Sequence, residues 1–195
     1  MSKLICLSGL DGSGKTTQVE LMKNHLQSYG LQVGAIHLKH TKISMSTIKE
    51  MCRKYIEEQS ITDPNTVRNV FSAINFVEKV SSSVIPSINE NDVTIVNRYT
   101  DSAKCYHFLK NGLSDYIDDI FSSLPLPTYN LFINVPPDIC FTRIKSRISL
   151  NEFESLPCLI QAFEFYLSRE ANFIWIDGTG SEQSVFNCIL KVINF

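Results

Sequence analysis

The sequence predicts a single α/β domain over residues 1–195: a parallel sheet of about five strands, helices on both faces, and a lid. Three observations carry this. Strand-length apolar runs alternate with amphipathic helical stretches along the whole chain, the pattern of a parallel sheet. The first apolar run, at 4–7, leads into a glycine-rich loop, and a helical pattern begins at once. The 195 residues are 44% apolar and 19% charged, ordinary for a globular chain and enough for one core.

Each element follows from a local signal. Residues 3–8 form the first strand, and 15–29 a helix with Val19, Met22, Leu26 and Tyr29 inward, closed by Gly30. A second strand over 32–38 ends in the polar loop Lys39-His40-Thr41-Lys42. Ile48, Met51, Cys52, Tyr55 and Ile56 recur at helical spacing over 46–58. Asp63 caps, and Pro64 opens, a long helix that meets no breaker before Pro86. After a turn at 89–92, the buried run 93–96 leads into Asn97-Arg98-Tyr99. Helices over 101–110 and 114–121 flank Asn111-Gly112, and Leu124-Pro125-Leu126-Pro127 ends that section. Residues 129–135 form a strand, and Pro136-Pro137 open a helix expected to reach about Arg147. The weakly patterned stretch 148–156 precedes a helix over 157–169, a strand over 172–176 and the turn Asp177-Gly178. The last helix places Val185, Cys188, Ile189 and Val192 inward.

Composition narrows the function. A net charge of −2 supplies no global field for nucleic acid, so any anion site must be local. The six cysteines are scattered without a C-x-x-C pair, which indicates reduced, packed thiols rather than a zinc site. No apolar run approaches membrane-spanning length, and the early one is too short for a leader. A cytoplasmic protein with no nucleic-acid or membrane partner is expected.

The loop carries the chemistry. Gly9, Gly12, Gly14, Lys15 and Thr16 complete a G-x-x-x-x-G-K-[ST] phosphate loop between strand and helix. Its main-chain N–H groups, those of Ser13 and Thr17 included, can face a polyphosphate at the positive end of the helix. Lys15 then reaches the outer phosphates and Thr16 can ligate Mg²⁺. The architecture is thus of the P-loop NTPase type, and ATP is the expected donor. A nucleotide switch would show N-K-x-D and a D-x-x-G after a strand, and neither occurs here. Ligands sit at the carboxyl ends of parallel strands. There Arg98 offers a planar fork for a second phosphate, and Lys39 and Lys42 offer point charges.

These residues, in order and spacing, resemble the thymidylate kinase family over nearly the full length. The resemblance rests on GLDGSGKTTQ at 9–18, NVFSAIN at 69–75, NRYTDSAKCYH at 97–107, INVPPDICFTRIKSR at 133–147 and IDG at 176–178. It implies transfer of the γ-phosphoryl group of ATP, with Mg²⁺, to a deoxynucleoside monophosphate, dTMP or a related pyrimidine nucleotide, in a homodimer. It also implies that Asp11 approaches the acceptor's sugar and phosphate, Arg98 grips that phosphate, Phe71 stacks on the base and Tyr106 lines the sugar, with Ser102 among the substrate-binding residues. Arg68, Phe71 or Ser72, and Asn75 share one helical face and can line one pocket. The acceptor region then spans about 39–106 and the lid about 143–156.

The departures from the family pattern lie on the acceptor and lid side. Asn97 replaces the aspartate of D-R-Y, Asn75 replaces a base-reading arginine, and 39–42 replaces an arginine–proline stretch. The lid reads Asn151-Glu152-Phe153-Glu154 where the family has D-R-F-E. No arginine occupies 12 or 13, so Arg143, Lys145 and Arg147 are the candidate cations, with Arg143 and Arg147 in catalytic roles beside Lys15, Asp11 and Arg98. Two alternatives stay open: a kinase of this fold with another acceptor, and a weakly active ATP-binding regulator.

Overall fold

The computed structural model describes residues 2–38, 64–112 and 115–194. The expected helix over 46–58, the Asp63 cap and the loop 39–42 lie outside the described residues. Among the described residues, five strands form one all-parallel sheet: β1 (Lys3–Ser8), β2 (Val33–His37), β3 (Val93–Asn97), β4 (Tyr129–Asn134) and β5 (Ile174–Asp177). Their spatial order is β2-β3-β1-β4-β5. Chain order reverses on either side of β1, which opens a crevice at the carboxyl ends of β1 and β3.

Strand alternation divides the core. Ile5 and Leu7 of β1 pack into one cluster, with Val19, Met22 and Leu26 of helix α1 (Lys15–Ser28). Leu4 and Cys6 pack into the other, with Ala73 and Phe76 of α2 (Pro64–Lys79). That is the period of two expected when both faces of a sheet are covered. Tyr29, expected inward, is 74% exposed. The helix stops at Ser28, so Tyr29 falls off its stripe and instead meets the His25 ring edge-on at 5.0 Å.

The long helix continues past Pro86. A π-helical turn at Val80–Val84 joins α2 to α3 (Ile85–Glu90), and the Ile85 N–H bonds back to Val80 O. Proline brings no N–H and normally clashes with the preceding turn, and the wider turn accommodates it. Helices α4 (Thr100–Asn111) and α5 (Asp115–Ser122) follow β3.

Helix α6 (Pro137–Ile144) ends three residues before the expected Arg147. Residues 145–152 are all exposed, so no burial holds further turns in place. Helix α7 (Leu156–Leu167) is N-capped by the Ser155 hydroxyl, which accepts from Cys158 N. β5 begins at Ile174 rather than 172, because Glu170–Asn172 coil into a 3₁₀ turn and Ile174 is the residue that pairs with Leu131. In α8 (Glu182–Val192), Val185 and Ile189 are buried as expected, joined by Phe186, while Cys188 and Val192 are partly buried.

Candidate functional site

The register of the sheet assembles the site. Leu7 of β1, Asn97 of β3 and His37 of β2 stand side by side at the strands' carboxyl ends. The phosphate loop leaves β1 there. Gly12 and Gly14 both take φ near +91°, a region a side chain disfavours, and this turns the chain around the cradle. A cavity of about 430 Å³ opens above it. Gly12, Gly14, Lys15, Thr16 and Thr17 line one wall, Asp11, Arg98, Asn97 and His37 the other, and Arg143 and Arg147 the rim.

Lys15 is buried, and its ammonium donates to Gly9 O at 2.9 Å, Leu10 O at 2.6 Å and Ser13 Oγ at 3.3 Å. Burial, and then the nearby Arg98 guanidinium, push its pKa down to about 7. These carbonyls hold the ammonium against the loop until a stronger anionic partner arrives.

Arg98 ion-pairs with Asp11, and its side chain is only 12% exposed. The Tyr106 hydroxyl donates to the second Asp11 oxygen at 3.2 Å, and the guanidinium lies 5.6 Å from the Tyr106 ring centre. Burial opposes ionisation of Asp11, but Arg98, Lys15 and the Tyr106 hydrogen bond hold its carboxyl below the ordinary range. Arg98 itself has φ 69°, the one non-glycine residue with positive φ among the described residues. Such a conformation costs on the order of 1–3 kcal/mol and persists only where the surrounding structure holds it. Its own N–H bonds Leu7 O at 3.0 Å, tying it to the strand that carries the loop. The main-chain cradle and this guanidinium therefore face one shared space.

Beside them, Asn97 Nδ2 donates to Thr16 Oγ1 at 3.3 Å and lies 3.1 Å from His37 Nδ1. Asn97 is buried, and its Oδ1 has no hydrogen-bond partner. On the rim, Arg143 Nη1 donates to Gly12 O at 3.2 Å, and Arg147 Nη1 donates to Glu154 Oε1 at 2.6 Å. The other Glu154 oxygen accepts from Asn151 N at 2.8 Å, so this buried carboxylate braces the exposed segment that follows α6. Lys145 does not line the cavity.

Ser102 is buried beneath the site, accepting from the Tyr166 hydroxyl at 3.2 Å, and does not line the cavity. Phe71, Ser72 and Asn75 are half-buried on α2 and do not line it either. Arg68 lies on α2, and Lys39 falls outside the described residues. Sequence reasoning missed His37, Glu154 and the ring of Phe153, which meets Tyr106 edge-on at 5.2 Å. Aligning the strand ends would have found His37. Glu154 and Phe153 depend on a loop conformation that no periodicity encodes.

The residues present suit a hard cation accompanying a triphosphate: a Thr16 hydroxyl on the cavity wall and an orphaned buried amide oxygen beside it. Among the described residues no group of three His, Cys, Asp or Glu could hold a metal on its own, so such an ion would rely on phosphate oxygens.

Comparison with known proteins finds the family model for thymidylate kinase matching residues 7–189. A probable thymidylate kinase 1 of Saccharolobus solfataricus is 28% identical over 195 residues, covering 99% of this chain and 97% of that one. A probable thymidylate kinase of Pyrococcus horikoshii is 28% identical over 156 residues, covering 78% and 74%. Among solved structures, thymidylate kinase from Candida albicans superposes with a TM-score of 0.68 at 19% identity, covering 98% of this chain and 91% of that one.

Proposed function

From the premise that the chain belongs to the thymidylate kinase family, we infer its reaction: it transfers the γ-phosphoryl group of ATP to dTMP. The observation that supports this reading best is the single cavity bounded by the glycine cradle on one side and Arg98 on the other. Two anionic substrates can meet there in line, and phosphoryl transfer asks little else of a protein than alignment and charge neutralisation.

The residues divide the work. The loop N–H groups and Lys15 hold the outer phosphates of ATP, with Lys15 exchanging the Gly9 and Leu10 carbonyls for phosphate oxygens. Thr16 would hold Mg²⁺, with Asn97 beside it, and a bound ion would supply positive charge to offset that of the phosphates. Arg98, oriented by Asp11, binds the acceptor phosphate through its fork. Tyr106 anchors Asp11 and borders the sugar. Arg143 and Arg147 bring positive charge to the donor side as the lid settles, an effect worth on the order of 10³-fold in related transfers. Lid closure over the substrates excludes water and gates turnover.

Family membership also supports a homodimer working in the cytoplasm. Among the described residues, no helix is long and apolar enough to cross a membrane.

The deciding experiment is a coupled assay of ADP release from ATP–Mg²⁺ with dTMP, dUMP, dCMP and purine monophosphates. Turnover is expected to be fastest with dTMP, and Arg98→Ala should raise the KM for dTMP while leaving that for ATP within about twofold. Turnover with another acceptor alone would overturn the substrate assignment, and ATP binding without turnover would overturn the reaction.

A further inference from the structure

An ion pair sits at the rim of the cavity. Arg147 follows the end of α6, where its N–H bonds Ile144 O at 2.9 Å and residues 145–152 are all exposed. Its side chain is 50% exposed, yet it lines the cavity together with Lys15 and Arg98. Burial and then Arg98 do most to depress the Lys15 pKa, and Arg147 adds to them, so its charge reaches the cradle. A long side chain on an exposed segment keeps its rotamer freedom unless something holds it. Here the holder is Glu154, whose Oε1 accepts from Arg147 Nη1 at 2.6 Å and whose side chain is only 7% exposed. Glu154 belongs to a turn that ties itself together. Its second oxygen accepts from Asn151 N at 2.8 Å, its N–H donates to Asn151 O at 3.1 Å, and Asn151 Oδ1 accepts from Phe153 N at 2.8 Å. Ser155, the cap of α7, follows directly, so the turn is anchored to a helix packed in the core.

We propose that Glu154 is a positioning residue for the transfer: it holds the Arg147 guanidinium at the cavity rim, ready to meet the outer phosphates of ATP. A guanidinium has five N–H donors, and the Glu154 bond takes one, which leaves enough for a forked contact with phosphate oxygens. The position calls for a carboxylate because both of its oxygens must accept. A glutamine would set an N–H against either Asn151 N or the guanidinium and lose one of the two bonds. Fixing the arginine before the nucleotide arrives removes an ordering cost from binding. Were Glu154 instead to hold Arg147 back from phosphate, its removal would tighten nucleotide binding rather than weaken it.

This assignment rests on the proposed kinase reaction for the identity of the donor, but its first readout uses no acceptor nucleotide. In calorimetric titrations with ATP–Mg²⁺, Arg147→Ala should bind about tenfold more weakly than the parent, the scale of one charge-assisted hydrogen bond. Glu154→Ala should lose about fivefold, and the double variant should stay within about twofold of Arg147→Ala. A Glu154 that served the fold alone would weaken binding by the same factor in both backgrounds, and that result would overturn the proposal. Tighter ATP binding by Glu154→Ala would overturn it as well. So would Arg147→Ala binding within about twofold of the parent. That last measurement stands even if Glu154→Ala fails to fold, because Arg147 is half exposed. Steady-state kinetics give the second readout: Glu154→Ala should lower kcat and leave the KM for dTMP within about twofold, and a loss confined to that KM would refute the assignment. Failure to phosphorylate dTMP would sink the reaction scheme without touching the titrations.

Discussion

Gly12 and Gly14 share the same positive φ and differ in what surrounds them. A Cβ on Gly12 would lie 2.5 Å from Cys140 O and 3.0 Å from Ile144 Cγ2, while one on Gly14 would meet nothing within 4 Å. Gly14→Ala should therefore cost about 1 kcal/mol of stability from φ alone, and Gly12→Ala about 3 kcal/mol, since the backbone of α6 must also yield. Urea unfolding of the two variants measures the difference, and equal midpoints would refute it. At this scale the sequence was legible wherever a motif fixes both residue and spacing, as from Gly9 to Thr17. It was not legible where a role depends on what lies across the sheet. Arg98 was recognisable as a strand-end cation, but neither its positive φ nor its pairing with Asp11 leaves a trace in spacing. Ser102, expected among the substrate-binding residues, is buried and accepts from Tyr166 of α7, a contact that spacing does not reveal.

Among the elements, the exposed segment between α6 and α7 is held by Glu154, whose two oxygens join the Arg147 side chain to the Asn151 N–H. Arg147 is half exposed, so the ion pair adds little to global stability. Its effect is local order. Glu154→Ala should speed amide exchange across 148–154 by about tenfold or more while moving the global unfolding free energy by on the order of 1 kcal/mol. Exchange unchanged from the parent would remove Glu154 from this role. Element types followed the periodicity of the chain closely, and the misplaced boundaries have specific causes. α6 stopped at Ile144 because residues 145–152 are all exposed, β5 moved because its pairing with β4 overrode apolar content, and the π turn let a helix pass Pro86. Each was decided by a neighbour rather than by local composition.

For the molecule as a whole, acid sensitivity follows from one buried imidazole. His107 on α4 is buried beside the Phe121 ring, and its Nε2 has no partner. Burial, with Lys110 nearby, pushes its pKa from 6.5 down to about 4. The unfolded chain therefore takes up a proton as pH falls below about 6.5, and the folded one does not until about 4. Stability should decline across that window by about 1.4 kcal/mol per unit, on the order of 3 kcal/mol in all, and level off below it. Urea titrations of the parent and of His107→Leu check this: the variant should lose that component of the slope, and parallel curves would refute it. The sheet order was not legible in the sequence. The order of the strands along the chain allowed several arrangements, and only pairing put β3 between β1 and β2. Among the described residues, that arrangement leaves β2 hydrogen-bonded to a single neighbouring strand, with His37 at its tip. A slip of one residue would replace the imidazole with an aliphatic side chain without exposing any of β1 or β4. Warming should therefore silence the site by fraying that border strand while the interior is still intact, so that loss of catalysis precedes the melting of the fold.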